Sequence, residues 1–172
     1  MVTTVAIIGA GPLGRWLARA VAGAGFRVLL EDVLPANLHR AREFLGPEPA
    51  SAISFVSTIE EAVREADLVI DCVPDELESK LEILWLLDRM APPRTVLATP
   101  TTHLSIADLA NCTYRPAKCI AIAAEAGTLA GNAGTEILLR TTKRTDLETI
   151  ALLDHFWHQL GFNPVFEADP VE

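Results

Sequence analysis

The chemistry-bearing residues come first in the chain. Gly9-Ala10-Gly11-Pro12-Leu13-Gly14 is a G-x-G-x-x-G turn, the pattern in which backbone N–H groups hold a diphosphate. Gly9 lets the chain leave a strand in a tight turn. Gly11 has no Cβ, so a pyrophosphate can approach the backbone closely. Gly14 lets a helix pack tightly on the strand. The free N–H groups and positive dipole end of that helix would face the phosphates. About 20 residues on, at the distance the pattern requires, stands Asp32. An acid there accepts hydrogen bonds from a ribose 2′-OH and repels a 2′-phosphate, which favours NAD over NADP.

The elements needed to hold this turn are present around it. Val5-Ala6-Ile7-Ile8 is an apolar strand, Arg15 to Ala24 is helical, and Val28-Leu29-Leu30 is a second strand closed by Glu31-Asp32. Strand, glycine turn, helix, strand and acid in register make dinucleotide binding the favoured reading. The alternative is the same fold with a vestigial site. Pro35 opens a helix running to about Leu45, and Gly46-Pro47-Glu48-Pro49 reads as a loop. Ile53–Val56 is a strand. Ser57 with Glu60, or Thr58 with Glu61, caps a helix to Glu65. Leu68–Val73 is a strand stopped by Pro74. A helix from about Asp75 to Met90 would bury Leu77, Leu81, Leu84 and Leu87 or Asp88. Further strands fall at Thr95–Ala98, Cys119–Ala123, Glu136–Leu139 and Asn163–Phe166. Ser105 opens a short helix to Asn111. Thr145-Asp146-Leu147-Glu148 caps a helix to Leu160, which Gly161 stops. The glycine-rich stretch from Glu125 to Gly134 reads as a mobile loop. Alternating strands and helices imply one α/β domain over 1–172 with a doubly wound, mostly parallel sheet of the Rossmann type.

Composition narrows the function classes. Of 172 residues, 50% are hydrophobic, enough for one sheet buried on both faces. The net charge is −9 and no basic cluster exceeds Lys143-Arg144, which argues against nucleic acid as a partner. Cys72, Cys112 and Cys119 have no metal-type spacing and read as reduced thiols of a cytoplasmic protein. No apolar stretch approaches the roughly 18 residues of a membrane span.

Nearly the whole chain resembles the N-terminal NAD-binding domain of the 3-hydroxyacyl-CoA dehydrogenases. The resemblance is carried by Val5 to Arg15, Ala66-Asp67-Leu68-Val69-Ile70-Asp71-Cys72-Val73-Pro74-Asp75, Ala91 to Ala98, and Leu104 to Ala110, in matching order and spacing. It implies that Gly9, Gly11, Pro12, Leu13 and Gly14 cradle the pyrophosphate of NAD and that Asp32 holds the adenosine ribose. It also implies that Asp75 and Lys80 approach the nicotinamide ribose and that Val73 and Pro74 are cofactor-binding residues. Taken by itself, Lys80 reads more simply as solvated helix surface. Trp16 departs from the family, which usually has a small residue there; its indole either crowds the pocket or faces the core.

The departures are larger where protons move. Oxidising a hydroxyl by hydride loss needs a base to take the hydroxyl proton. The family uses a histidine in a His-Phe-Phe-Asn segment, oriented by a glutamate. The matching segment here is Ala123-Ala124-Glu125-Ala126, and Glu136 matches the orienting glutamate with a one-residue shift. The family's Asn-Thr-Ser-Ser turn is Pro100-Thr101-Thr102-His103, so Thr102 keeps a hydroxyl at the serine position. Pro100 removes the asparagine side chain and a backbone donor. The chain stops at Asp169-Pro170-Val171-Glu172, near where the family's helical second domain begins, so the resemblance implies half a site for an acyl-CoA.

His103, just past a strand's carboxyl end, is the candidate replacement base, although an exposed loop histidine is the simpler reading. Cys72 reads as a nucleophile or, more simply, as a small core residue. Glu125 reads as a displaced acid or as a solvated loop charge. His39, His155 and His158 read as surface residues. Three functions follow: an NAD-binding protein without the family's catalytic apparatus, an active oxidoreductase with a rewired site or partner subunit, and a scaffold for another ligand, with Trp16 as the hint. Dimerisation through a sheet edge or helix face is left open.

Overall fold

A computed structural model describes residues 2–124 and 135–170. The elements run β1 (Thr4–Ile8), α1 (Pro12–Gly23), β2 (Arg27–Glu31), α2 (Pro35–Leu45), α3 (Pro47–Ser51), β3 (Ile53–Val56), α4 (Ile59–Val63), β4 (Leu68–Asp71), α5 (Leu77–Met90), β5 (Val96–Pro100), α6 (Ile106–Ala110), β6 (Cys119–Ile122), β7 (Glu136–Thr141), α7 (Leu147–Gln159) and β8 (Asn163–Ala168). They form one eight-stranded sheet in the order β3-β2-β1-β4-β5-β6-β7-β8. Every neighbouring pair is parallel except β6 and β7. The α/β, doubly wound arrangement expected from the sequence is therefore the one observed. The glycine-rich stretch 125–134, and with it Glu125, lies outside the described residues.

Both sheet faces are covered, as an all-apolar central strand requires. Along β1 the side chains alternate between two cores. Val5 and Ile7 pack with Leu17, Val21, Leu153, Phe156 and Trp157 on the α1 and α7 side. Ala6 and Ile8 pack with Val63, Leu84, Leu87 and Leu109 on the α4, α5 and α6 side. Chain order reverses between β1 and β4, and open α/β sheets bind ligands at such switch points, beyond the carboxyl ends of the strands. The two strands separate just past the hydrogen bond from Cys72 N–H to Ile8 C=O, 2.7 Å.

Several element ends differ from those expected. Helix α1 begins at Pro12, not Arg15, because proline at the first helical position has no N–H to lose and a preset φ. The expected loop at 46–49 gives way to α3, opened in the same manner by Pro47. The cap of α4 is Thr58, which accepts from Glu61 N–H at 3.3 Å; the helix ends at Val63 rather than Glu65. Ser105 and Asp146 cap α6 and α7 as expected, through Asp108 N–H and Thr149 N–H. Gly161 follows α7 with φ +87°, the left-handed turn that favours glycine. Helix α5 starts at Leu77, whose side chain is exposed; its buried face is Lys80, Ile83, Leu84, Leu87 and Asp88. Lys80 thus joins the buried stripe in place of the expected Leu77 and Leu81, and Leu87 and Asp88 both belong to it. Asp88 is buried because Arg115 and Tyr114 N–H donate to it, at 2.8 and 2.9 Å.

Candidate cofactor crevice

The glycine turn is built backbone against backbone. Gly9 has φ +103° and donates its N–H to Glu31 C=O at 2.8 Å. A Cβ on Gly14 would stand 1.8 Å from Gly9 O, so only glycine permits this approach of α1 to β1. Around Gly11, by contrast, a Cβ would meet nothing within 4 Å. That open space lies at the N-terminus of α1, where no side chain caps the helix and no acid occupies the first turn. The dipole end and free N–H groups are left for an anion, the arrangement a diphosphate needs.

On the adenosine side, a cavity of about 370 Å³ is lined by Gly9, Gly11, Glu31, Asp32, Val33 and Pro74 among others. Asp32 ties the crevice together. Its Oδ2 accepts from Ala10 N–H at 2.9 Å and from Asn37 Nδ2 at 3.1 Å, while Oδ1 accepts from Leu34 N–H at 2.8 Å. Glu31 shares the cavity. Burial first, and the Asp32 charge second, push its carboxyl up to about 7. A carboxyl raised on folding stabilises the fold while protonated, and that contribution fades as pH rises toward the folded value. Thermal melts across pH 4.5–7 are expected to show this loss, and Glu31→Gln to remove it. Equal pH profiles for the two proteins would show that Glu31 does not titrate in this range.

The nicotinamide side is a second cavity, about 440 Å³, that shares Gly11, Cys72 and Val73 with the first. Pro12, Leu13, Asp75, Pro100, Thr102, His103 and Ala124 complete its lining. Two segments far apart in sequence converge here. Asp75 Oδ2 accepts from Thr102 N–H at 3.0 Å and lies 3.3 Å from His103 Nδ1. Asp75 Oδ1 is buried with no hydrogen-bond partner among the described residues. The His103 ring is 62% exposed, so it sits at the mouth of the cavity rather than in its floor. Burial first, and the neighbouring Asp71 charge second, push the Cys72 thiol up, which disfavours the thiolate a nucleophile needs.

Lys80 corrects the sequence reading most sharply. It is neither solvated surface nor part of the lining of either cavity. Its side chain is 1% exposed and its Nζ lies 2.6 Å from Asp71 Oδ1, itself fully buried at the end of β4. Burial raises the Asp71 carboxyl, opposed by the Lys80 charge and by the Thr99 hydroxyl. The pair is buried and lines neither cavity. Trp16 is likewise clear of the pocket: it packs edge-on against Phe162, ring centroids 6.3 Å apart, at the margin of the α1-side core. The indole that hinted at another ligand is a packing residue. Glu136 is exposed at the start of β7 and lines neither cavity. His39, His155 and His158 are on the surface. Asn37 reaches Asp32 from the first turn of α2, and Asp71 gains its role only from Lys80 on the next helix; neither contact is visible in the motif spacing.

The profile of the "3-hydroxyacyl-CoA dehydrogenase, NAD binding domain" matches residues 46–123. Over 133 residues the sequence is 34% identical to a probable 3-hydroxybutyryl-CoA dehydrogenase of Bacillus subtilis, spanning 67% of this chain and 46% of that protein. The chain carries the NAD-binding domain of the 3-hydroxyacyl-CoA dehydrogenase family. This NAD-binding domain is also 34% identical to an L-carnitine dehydrogenase of Burkholderia mallei, over 69% of this chain and 41% of the relative. A 3-hydroxyacyl-CoA dehydrogenase structure from Archaeoglobus fulgidus superposes with TM-score 0.87 at 28% identity, covering 97% of this chain and 57% of that one. The chain spans less than half the length of the curated relatives it matches. Among the described residues, no helix is long and apolar enough to cross a membrane.

The residues present fit NAD. The Gly9–Gly14 approach leaves the Gly11 face open enough for a diphosphate, and the Asp32 carboxylate borders the same cavity as Gly9 and Gly11. Bound NAD supplies the hydride acceptor; the chain binds and orients it. Asp32→Ala is expected to weaken NADH binding and to lessen discrimination against NADPH. Hydrogen bonds to a charged group contribute about 1.5–3 kcal/mol, or roughly 10- to 150-fold in affinity. Fluorescence titration of both cofactors checks this, and unchanged affinities would put the ribose elsewhere.

Proposed function

We propose that this domain binds NAD(H) as the cofactor half of a family oxidoreductase and lacks the family's His–Glu proton relay. The observation that carries the reading is Ala123-Ala124 just past the end of β6, where the resemblance calls for histidine. Ala124 faces the nicotinamide-side cavity, and Glu136 is outside it. A methyl group exchanges no proton, so the general-base contribution, about 10²–10⁴-fold in rate, has no source at that position. A 3-hydroxyacyl or 3-oxoacyl thioester is the proposed substrate class, on the strength of the relatives' names. Cytoplasmic action belongs to the same proposal and rests on the three free cysteines. Saturable quenching or enhancement of NADH fluorescence, with no acetoacetyl-CoA-dependent NADH oxidation, is the expected result. Rapid turnover by the unaltered chain would overturn it.

A second reading has one specific observation in its favour. The Asp75 carboxylate beside His103 can orient an imidazole at the cavity mouth, which is what a replacement base needs. If turnover is found, His103→Ala is expected to lower kcat about 10²-fold or more while leaving NADH affinity unchanged. Turnover that persists in that variant would dismiss the second reading.

A further inference from the structure

We propose that Glu31 is a second carboxylate for the adenosine ribose, dividing its two hydroxyls with Asp32 and strengthening the preference for a cofactor without a 2′-phosphate. This rests on NAD binding, not on the missing proton relay. The argument begins with the acceptor capacity of Asp32. Each carboxylate oxygen offers about two lone-pair directions. Oδ2 is filled by Ala10 N–H and Asn37 Nδ2, and Oδ1 already takes Leu34 N–H. One acceptor direction is left for a ribose that brings two hydroxyl donors. Asp32 is largely a structural tie between the glycine turn and the start of α2.

Glu31 has what Asp32 lacks. It is 5% exposed, yet no described residue hydrogen-bonds its carboxyl. It lines the same cavity as Asp32. An acid buried without a partner destabilises a fold, and the only other charged residue in that lining has the same sign. Ile8 from β1, Ile59 from α4 and Ile83 from α5 are apolar, Asn37 from α2 is neutral, and Cys72 at the end of β4 is a protonated thiol. Lys80, on α5, is committed to Asp71. A hydroxyl donor from the ligand is the partner this geometry lacks. A 2′-phosphate would meet two carboxylates instead of one.

Hydroxyl donors favour the ionised carboxyl, and the free group titrates at about 7. NAD+ affinity is therefore expected to rise with pH from 6 to 8, with proton release on binding below that midpoint. The experiment is isothermal titration of the whole chain with NAD+ and NADP+ at pH 6, 7 and 8, for wild type, Glu31→Gln and Asp32→Ala. Displacement of NADH by ADP, 2′-deoxy-ADP and 3′-deoxy-ADP is measured in parallel. Glu31→Gln is expected to bind NAD+ roughly tenfold more weakly, to lose the pH dependence and to narrow the NAD+/NADP+ ratio. Removing the hydroxyl that Glu31 holds is expected to cost wild type about tenfold and the variant nothing. The variant's melting temperature at pH 8 is expected to equal or exceed wild type, because a like-charge pair is gone. Wild-type affinity in Glu31→Gln at every pH, or equal deoxy penalties in both proteins, would overturn the proposal while leaving NAD binding intact. Absence of NAD+ binding by the wild type would overturn both.

Discussion

Gly14→Ala is expected to abolish measurable NADH binding, a loss of more than 100-fold, and to destabilise the domain by about 1–3 kcal/mol, the usual cost of overpacking. The methyl would stand 1.8 Å from Gly9 O. The obstacle, with the Gly9 carbonyl carbon 3.0 Å away behind it, is backbone, so no side chain can swing aside. Gly9 cannot yield either, because its positive φ and its bond to Glu31 C=O fix the turn. The remaining adjustment is for α1 to lift from β1, which pulls Leu17 and Val21 out of a core where both are fully buried. The helix N-terminus moves with it and the phosphate cradle opens. Gly11→Ala separates the two roles. Its methyl meets no protein atom, so this variant is expected to melt as wild type does and to bind NADH weakly, because the methyl fills the space a diphosphate would use. Thermal melts and fluorescence titrations of the pair check both statements. NADH binding by Gly14→Ala at wild-type strength would show that the pyrophosphate does not rest on this turn.

Lys80→Ala is expected to cost about 3–5 kcal/mol of stability in urea unfolding, among the largest single-residue effects in the molecule. The substitution leaves Asp71 fully buried at the end of β4 without its cation. A buried carboxylate stripped of its partner must protonate or draw water into the sheet end, and either route destabilises. Asp71→Asn is expected to be milder, since the amide oxygen can still accept from the ammonium. Replacing both, Lys80→Met with Asp71→Leu, is expected to recover most of the loss, because a buried ion pair repays its desolvation only when intact. A Lys80→Ala variant as stable as wild type would mean that Lys80 is solvated after all.

The short-range signals in this sequence were sufficient for the architecture. An apolar run, a G-x-G-x-x-G, an amphipathic helix and an acid after the next strand define a β-α-β unit within about 30 residues. Thr58, Ser105, Asp146 and Gly161 mark helix ends through bonds to residues three or so away. These features depend on local geometry, so reading the chain in order finds them. The same is true of Gly9, Gly11, Gly14 and Asp32, whose spacing alone brings the glycine turn and the acid to one cavity.

Tertiary structure decided what depends on contact across the sheet. The reversal of β7 against β6 is set by pairing between distant segments, which leaves no mark on either strand's own pattern. Lys80 became a core residue because Asp71 lies opposite it on another element, and only that pairing makes a buried ammonium tolerable. Trp16 turned inward because Phe162, far along the chain, offered it a ring edge. Asp75, Thr102 and His103 meet at the crevice mouth because β4 and β5 end side by side. Periodicity and spacing describe which face a residue occupies on its own element; the partner that gives a charged or aromatic side chain its role comes from an element the local pattern does not contain.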